Sequence, residues 1–296
     1  MSTPTHRYLS LGAGVQSSTV LLLAARGEIP TFDAAIFADT GWEPAPVYAH
    51  LRRLQRIAAA AKIPIVRVAA GDIRRDALDP THRFASMPLF TLGPHGERGM
   101  ARRQCTGEYK IKPIKEEVRR RLGYPHPARV PAGLVAEMAI GISLDEIGRA
   151  RDADVAYMRN TFPLLNLGWQ RKDCLAFLAD HELADTPRSA CVGCPYRTDA
   201  EWARLRRDDP TGWDDAVAFD AAIRHGSARA NAAGQRLRGQ FFLHRQRVSL
   251  DQVTLHPRAN AGADAPGCGP WTCPHTDPPI EAGDDAVATP GREVGH

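Results

Sequence analysis

The stretch RYLSLGAGVQSSTVLLL, residues 7–23, decides how the rest of the chain is read. A short apolar run ends in Ser-Leu-Gly-Ala-Gly, two serines follow Val15 and Gln16, and an apolar segment with helical spacing comes next. This pattern predicts a strand, a phosphate-sized turn and the start of a helix. Glycine at positions 12 and 14 permits backbone angles closed to other residues, so consecutive N–H groups can converge on an anion. Ser17 and Ser18 would add hydroxyl donors where the helix dipole is positive. The alternative for a glycine motif standing alone is an ordinary strand-to-helix turn with no ligand.

Working outward, GEIP closes the first helix and AAIFAD, 34–39, has the unbroken apolar character of a strand buried on both faces. Residues 45–62 carry Val47, Leu51, Leu54, Ile57 and Ala61 at helical spacing, and IPIVRVA, 63–69, is a third strand. Strands alternating with helices of this length imply an α/β fold, a Rossmann-like doubly wound parallel sheet of about five strands that binds ligands at its carboxyl ends. Residues 79–103 lose all periodicity and read as a long loop over the sheet edge. A basic helix spans 107–122, LVAEMAIGIS at 134–143 is a fourth strand, and a fifth apolar run, FPLLNL, leads through Gly168 to a helix over 170–183. Residues 200–224 read as helical, with Trp202, Leu205, Trp213, Val217 and Phe219 as core anchors. Past Leu255 the composition turns to Pro, Gly, Ala and Asp, which cannot bury enough apolar surface to order itself. The expected division is one α/β domain over 1–255, with a helical extension from about 185, and a disordered tail over 256–296.

At 296 residues, with 43% hydrophobic and 24% charged residues, the composition is that of an ordinary globular protein. The net charge of +4 comes from arginine more than lysine, in runs such as Arg52-Arg53, Arg102-Arg103 and Arg206-Arg207. Such pairs suit a solvated helix face or a polyanion surface. The amino terminus lacks a charged-then-apolar signal pattern and no apolar run reaches 18 residues, so a cytoplasmic location without a membrane partner is expected. Six cysteines in a reducing compartment read as metal ligands or reactive thiols rather than a disulfide framework.

Four further segments carry chemistry. FADTGWEP sets Asp39, Thr40 and Glu43 at the end of the second strand, beside the first turn if the two strands are neighbours; a helix cap is the plainer role for Asp39. RRQCTGEYKIKPI, 102–114, gathers Arg102, Arg103, Cys105, Lys110 and Lys112, which suit phosphate or sulfate oxygens or, more plainly, a surface helix. GISLDEIGRARD offers Asp145, Glu146, Arg149 and Arg151 after the fourth strand, at spacings where they can simply pair with one another. CVGCP, 191–195, brings two thiols within reach of one metal, with Gly193 relieving the turn. Cys105 is the candidate third ligand, while Cys174 shares a helical face with Phe177 and Leu178 and reads as a small core residue. The trio Cys105, Cys191 and Cys194 could hold an iron–sulfur group, could hold zinc together with a histidine, or could remain free thiols.

Together these segments resemble the PP-loop ATP pyrophosphatase superfamily, the adenine nucleotide alpha-hydrolase-like group, and within it the phosphoadenylylsulfate (PAPS) reductase-like branch. The resemblance spans about residues 7–202, with Ser10 to Ser18 similar to the pyrophosphate loop and 37–43 similar to the strand-two Asp-Thr-Gly. The segments following Cys105 and Phe162 match in the same order. Gln16 stands where many members carry aspartate, and the carboxyl-terminal catalytic Glu-Cys-Gly-x-His of the reductases is replaced by GCGPWTCPH at 267–275. The resemblance implies ATP and Mg²⁺ bound through Ser10, Gly12, Gly14, Gln16, Ser17, Ser18, Asp39, Thr40, Gly41, Arg102 and Lys110. It also implies catalytic roles for Cys105, Arg149 and Arg151, and a [4Fe–4S] cluster on Cys105, Cys191 and Cys194, with Zn²⁺ as the alternative. The implied activity is adenylylation of an acceptor, a nucleic-acid base or small molecule, with pyrophosphate release and sulfur transfer from a donor such as a cysteine desulfurase; a homodimer is compatible. Reduction of adenylyl- or phosphoadenylyl-sulfate and a non-catalytic nucleotide-binding module are the alternatives.

Overall fold

A computed structural model describes residues 6–82, 87–226 and 239–256. Its elements run β1 (His6–Leu11), α1 (Val15–Ala25), β2 (Ala34–Ala38), α2 (Ala45–Ala60), β3 (Ile65–Val68), α3 (Ile73–Leu78), β4 (Phe90–Leu92), β5 (Arg98–Met100) and α4 (Lys112–Arg121). There follow β6 (Ala136–Ile140), β7 (Met158–Thr161), α5 (Pro163–Asn166), α6 (Arg171–Asp180), α7 (Asp199–Asp208), α8 (Pro210–Ala222) and β8 (Gln240–Phe242).

Strands whose side chains are apolar on both faces need cover on both faces, and the parallel sheet has it. Its order is β3-β2-β1-β6-β7, every pairing parallel. Successive side chains of β1 part to opposite sides: Leu9 and Leu11 join Leu51 and Leu54 of α2 and Leu178 of α6, whereas Tyr8 packs with Ile114 and Val118 of α4. Strand order reverses between β1 and β6, and a parallel sheet leaves its ligand crevice at that reversal. A third apolar cluster joins α3, α7 and α8 to a small antiparallel sheet of order β5-β4-β8.

Several sequence expectations are corrected. The loop expected over 79–103 contains the β4–β5 hairpin, whose three-residue strands are too short to display a period. FPLLNL is not a sheet strand: Pro163 starts the short helix α5, and the fifth strand is the polar-looking MRNT just before it. MRNT lies at the edge of the sheet with Arg159 exposed, so one partner strand and one buried face suffice. The helix expected over 200–224 divides at Asp209-Pro210, where Asp209 caps the Gly212 N–H at 3.0 Å. The basic helix opens with a π-helical segment, Thr106–Ile111, before α4. The tail, with Cys268 and Cys273, lies beyond the described residues. No helix among the described residues is long and apolar enough to cross a membrane.

Candidate active site

β1 carries the glycine loop to the carboxyl edge of the sheet. Neither glycine uses a left-handed backbone: Gly14 has φ −106°, and the left-handed residue is the buried Ala13, at φ 53°. This corrects the reason read from sequence. What the missing side chains allow is close approach: a Cβ on Gly14 would lie 3.1 Å from the Ser189 Cβ, and one on Gly12 would lie 3.3 Å from the Ser189 Oγ. Ser17 braces the turn, its hydroxyl accepting from the Gly12 N–H at 3.2 Å and donating to the Gly14 carbonyl at 3.3 Å. Ser18 is committed elsewhere, its Oγ 3.0 Å from His50 Nε2 on α2 with both side chains buried. Burial holds the His50 imidazole neutral, its pKa lowered to about 4. The Ser10 hydroxyl is buried near the end of β1 and has no hydrogen-bond partner among the described residues. No acidic residue lies in the first turn of α1 and no side chain caps it, so its positive end faces the loop uncompensated.

At the β1/β6 reversal, Gln16 ties the two halves of the sheet together. Its Nε2 donates to Glu146 Oε2 at 3.1 Å and to Ser143 Oγ at 3.4 Å, and its Oε1 accepts from Arg171 Nη1 at 3.0 Å. Arg149 pairs with Glu146. Burial nevertheless raises the Glu146 pKa from its ordinary value, outweighing Arg149 and Arg171. The backbones run close here, since a Cβ on Gly141 would lie 2.8 Å from the Ser17 nitrogen. Arg171 went unnoticed in sequence because, as the first residue of α6, it carries no local sign of meeting Gln16.

The end of β2 forms the other wall. Asp39 is buried, accepts from the Gly41 N–H at 2.8 Å and from Tyr48 Oη at 2.9 Å, and pairs with Arg67. Gly41 has φ 76°, a conformation that glycine adopts without strain. Thr40 Oγ1 donates to Glu43 Oε1 at 3.2 Å and lies 3.2 Å from Cys191 Sγ. The buried Lys110 sets its Nζ 4.0 Å from Glu43 Oε1. Thus two motifs some 70 residues apart face a third.

Cys105, Cys191 and Cys194 line one narrow cavity with Thr40, Lys110 and Arg103. Burial, followed by the Glu43 carboxylate, pushes the Cys191 thiol well up, against the pull of Lys110. Arg197 holds the turn from behind: Nε and Nη2 donate to the carbonyls of Ala190, Cys191 and Val192 at 2.9–3.2 Å. Three sulfurs around one cavity beside a buried cation offer three of the four thiolates that an iron–sulfur group ordinarily takes. Among the described residues no three Cys, His, Asp or Glu side chains converge closely enough to hold a single ion. Cys174 is fully enclosed, its pKa raised to about 12 by burial, as expected of a core residue. Arg102 and Arg151 are exposed, and Arg151 offers its backbone carbonyl to Asn160 Nδ2.

No family model and no curated protein matches the chain. Among solved structures it is similar to the PAPS reductase of Candida auris, crystallised as a phosphate complex, with 12% identity and a TM-score of 0.37 over 64% of this chain and 81% of that one.

Proposed function

We propose that the chain binds ATP with its phosphates on the glycine loop and adenylylates an acceptor for sulfur transfer, releasing pyrophosphate. The observation that carries this reading is convergence: the Gly12–Gly14 loop, the Asp39–Glu43 strand end and the cysteine cavity meet through Ser189 and through the Thr40–Cys191 contact. The loop N–H groups and Ser17, at the uncompensated end of α1, would hold the departing pyrophosphate. Lys110 and Arg149 would offset charge at the α-phosphate and the acceptor. Attack by an acceptor oxygen on the α-phosphorus forms one P–O bond and breaks the α–β bridge, the electron pair leaving with pyrophosphate. A sulfur nucleophile then forms a bond to the acceptor carbon as the C–O bond breaks and AMP leaves.

Mg²⁺ would enter with ATP, and because Gln16 is neutral and tied to Glu146, the ion would rest chiefly on phosphate oxygens and water. Cys105, Cys191 and Cys194 would hold a [4Fe–4S] cluster, which when bound supplies iron able to carry sulfur. The acceptor is expected to be a nucleic-acid base or a small molecule, with the sulfur coming from a desulfurase-type donor.

Incubation with α-labelled ATP and candidate acceptors should give AMP and pyrophosphate in equal amounts; ADP as the sole nucleotide product would overturn the adenylylation. Anaerobically purified protein should be brown and bleach on reduction, whereas a colourless zinc protein would remove the cluster. Sulfite release from activated sulfate with a thiol reductant would assign the chain to reduction instead.

A further inference from the structure

Ser189 belongs to none of the motifs read from sequence, yet it is the residue against which both loop glycines are packed. It is 6% exposed, and its Oγ lies 3.3 Å from the position a Gly12 Cβ would take. A hydroxyl so placed can turn its proton toward an anion seated on the N–H groups of residues 13–15. Two residues on, Cys191 enters a turn held as one piece. The Val192 N–H donates to the Trp42 carbonyl at 2.8 Å, Cys194 N to the Cys191 carbonyl at 3.2 Å, and Arg197 binds three successive carbonyls from behind. Gly193 is pressed against the Trp42 ring, so the turn is tied to the loop that follows β2. The shortest covalent path from the glycine loop's surroundings to the thiols is therefore Ser189-Ala190-Cys191.

We infer that Ser189 is a further phosphate-contacting residue, and that through it the occupancy of the glycine loop is transmitted to the Cys191–Cys194 turn. This rests on the reading of the loop as a phosphate site. The ligand class is an inorganic or nucleotide pyrophosphate, and the consequence is that the thiol turn is most firmly held while the leaving group is still bound.

The test uses the full chain as purified, with inorganic pyrophosphate as the probe, in titration calorimetry and in hydrogen exchange read by mass spectrometry. Wild type should bind, and binding should slow exchange of the Val192 and Cys194 amides several-fold. Ser189→Ala should weaken pyrophosphate about tenfold and abolish the slowing. Thr186→Ala, on the same segment but with its hydroxyl donating to the Leu183 carbonyl, should behave as wild type. If wild type fails to bind pyrophosphate, the phosphate reading falls and this inference with it. If wild type binds and Ser189→Ala binds equally well, or Thr186→Ala is equally impaired, the role of Ser189 alone is overturned. Binding without slowed exchange overturns the transmission.

Discussion

At Gly193 a single added methyl group would meet an indole ring: its carbon would lie 2.1 Å from Trp42, whose Nε1 is fixed to Asp215 Oδ2 at 2.6 Å. Overpacking of this kind costs about 1–3 kcal/mol, and the ring cannot swing aside without losing its hydrogen bond. Gly193→Ala should therefore lower the melting temperature by roughly 2–12 °C, at about 2–4 °C per kcal/mol for a chain of this size. Calorimetric scanning checks it, and an unchanged midpoint would show that the turn yields. His50 makes a second residue-scale prediction. Its folded pKa of about 4 lies below the usual value of 6.5, so the unfolded chain takes up a proton first as the solution is acidified. The stability contributed by neutral His50 is complete above pH 6.5 and is lost as pH falls toward 4. The loss approaches ~3 kcal/mol, each tenfold difference in proton affinity between folded and unfolded chain being worth about 1.4 kcal/mol. Urea unfolding at pH 7 and pH 5 should show a smaller difference in His50→Gln than in wild type.

Elements were legible in proportion to their burial and length. β1, β2 and β6 are apolar runs with cover on both faces, so the periodicity and the turn residues identify them without tertiary knowledge. β7 reads as Met-Arg-Asn-Thr because an edge strand needs only one buried face, and β4, β5 and β8 are three residues each. The same division runs through the site. Gly12, Asp39 and the Cys-x-x-Cys announce themselves by residue type at strand ends, whereas Arg171, Ser189 and Arg197 matter only for what they touch, which local sequence does not encode. The junction of α1 with the end of β6 is itself testable. Gly141→Ala places a carbon 2.8 Å from the Ser17 nitrogen, so the strand end must move from the helix start that it abuts. ATP affinity should fall at least tenfold with little loss of secondary structure, a split that calorimetric titration beside far-ultraviolet dichroism would reveal.

On the scale of the whole molecule, a ligand that binds only the folded chain stabilises it by mass action. At a concentration one hundred times its dissociation constant, MgATP should add about 2.7 kcal/mol and raise the melting temperature by roughly 5–10 °C. An unshifted midpoint at millimolar MgATP would count against nucleotide binding anywhere on the chain. The pairing of β1 with β6 carries a different consequence. The central strand hydrogen-bonds to a partner about 130 residues downstream, from His6 opposite Ala136 onward. At a synthesis rate of about 5–20 residues per second, the ribosome leaves β1 with one edge open for roughly 7–26 s before β6 emerges. Throughout that interval the nascent chain exposes an apolar strand edge, so the glycine loop is the first part of the site to be translated and among the last to be completed.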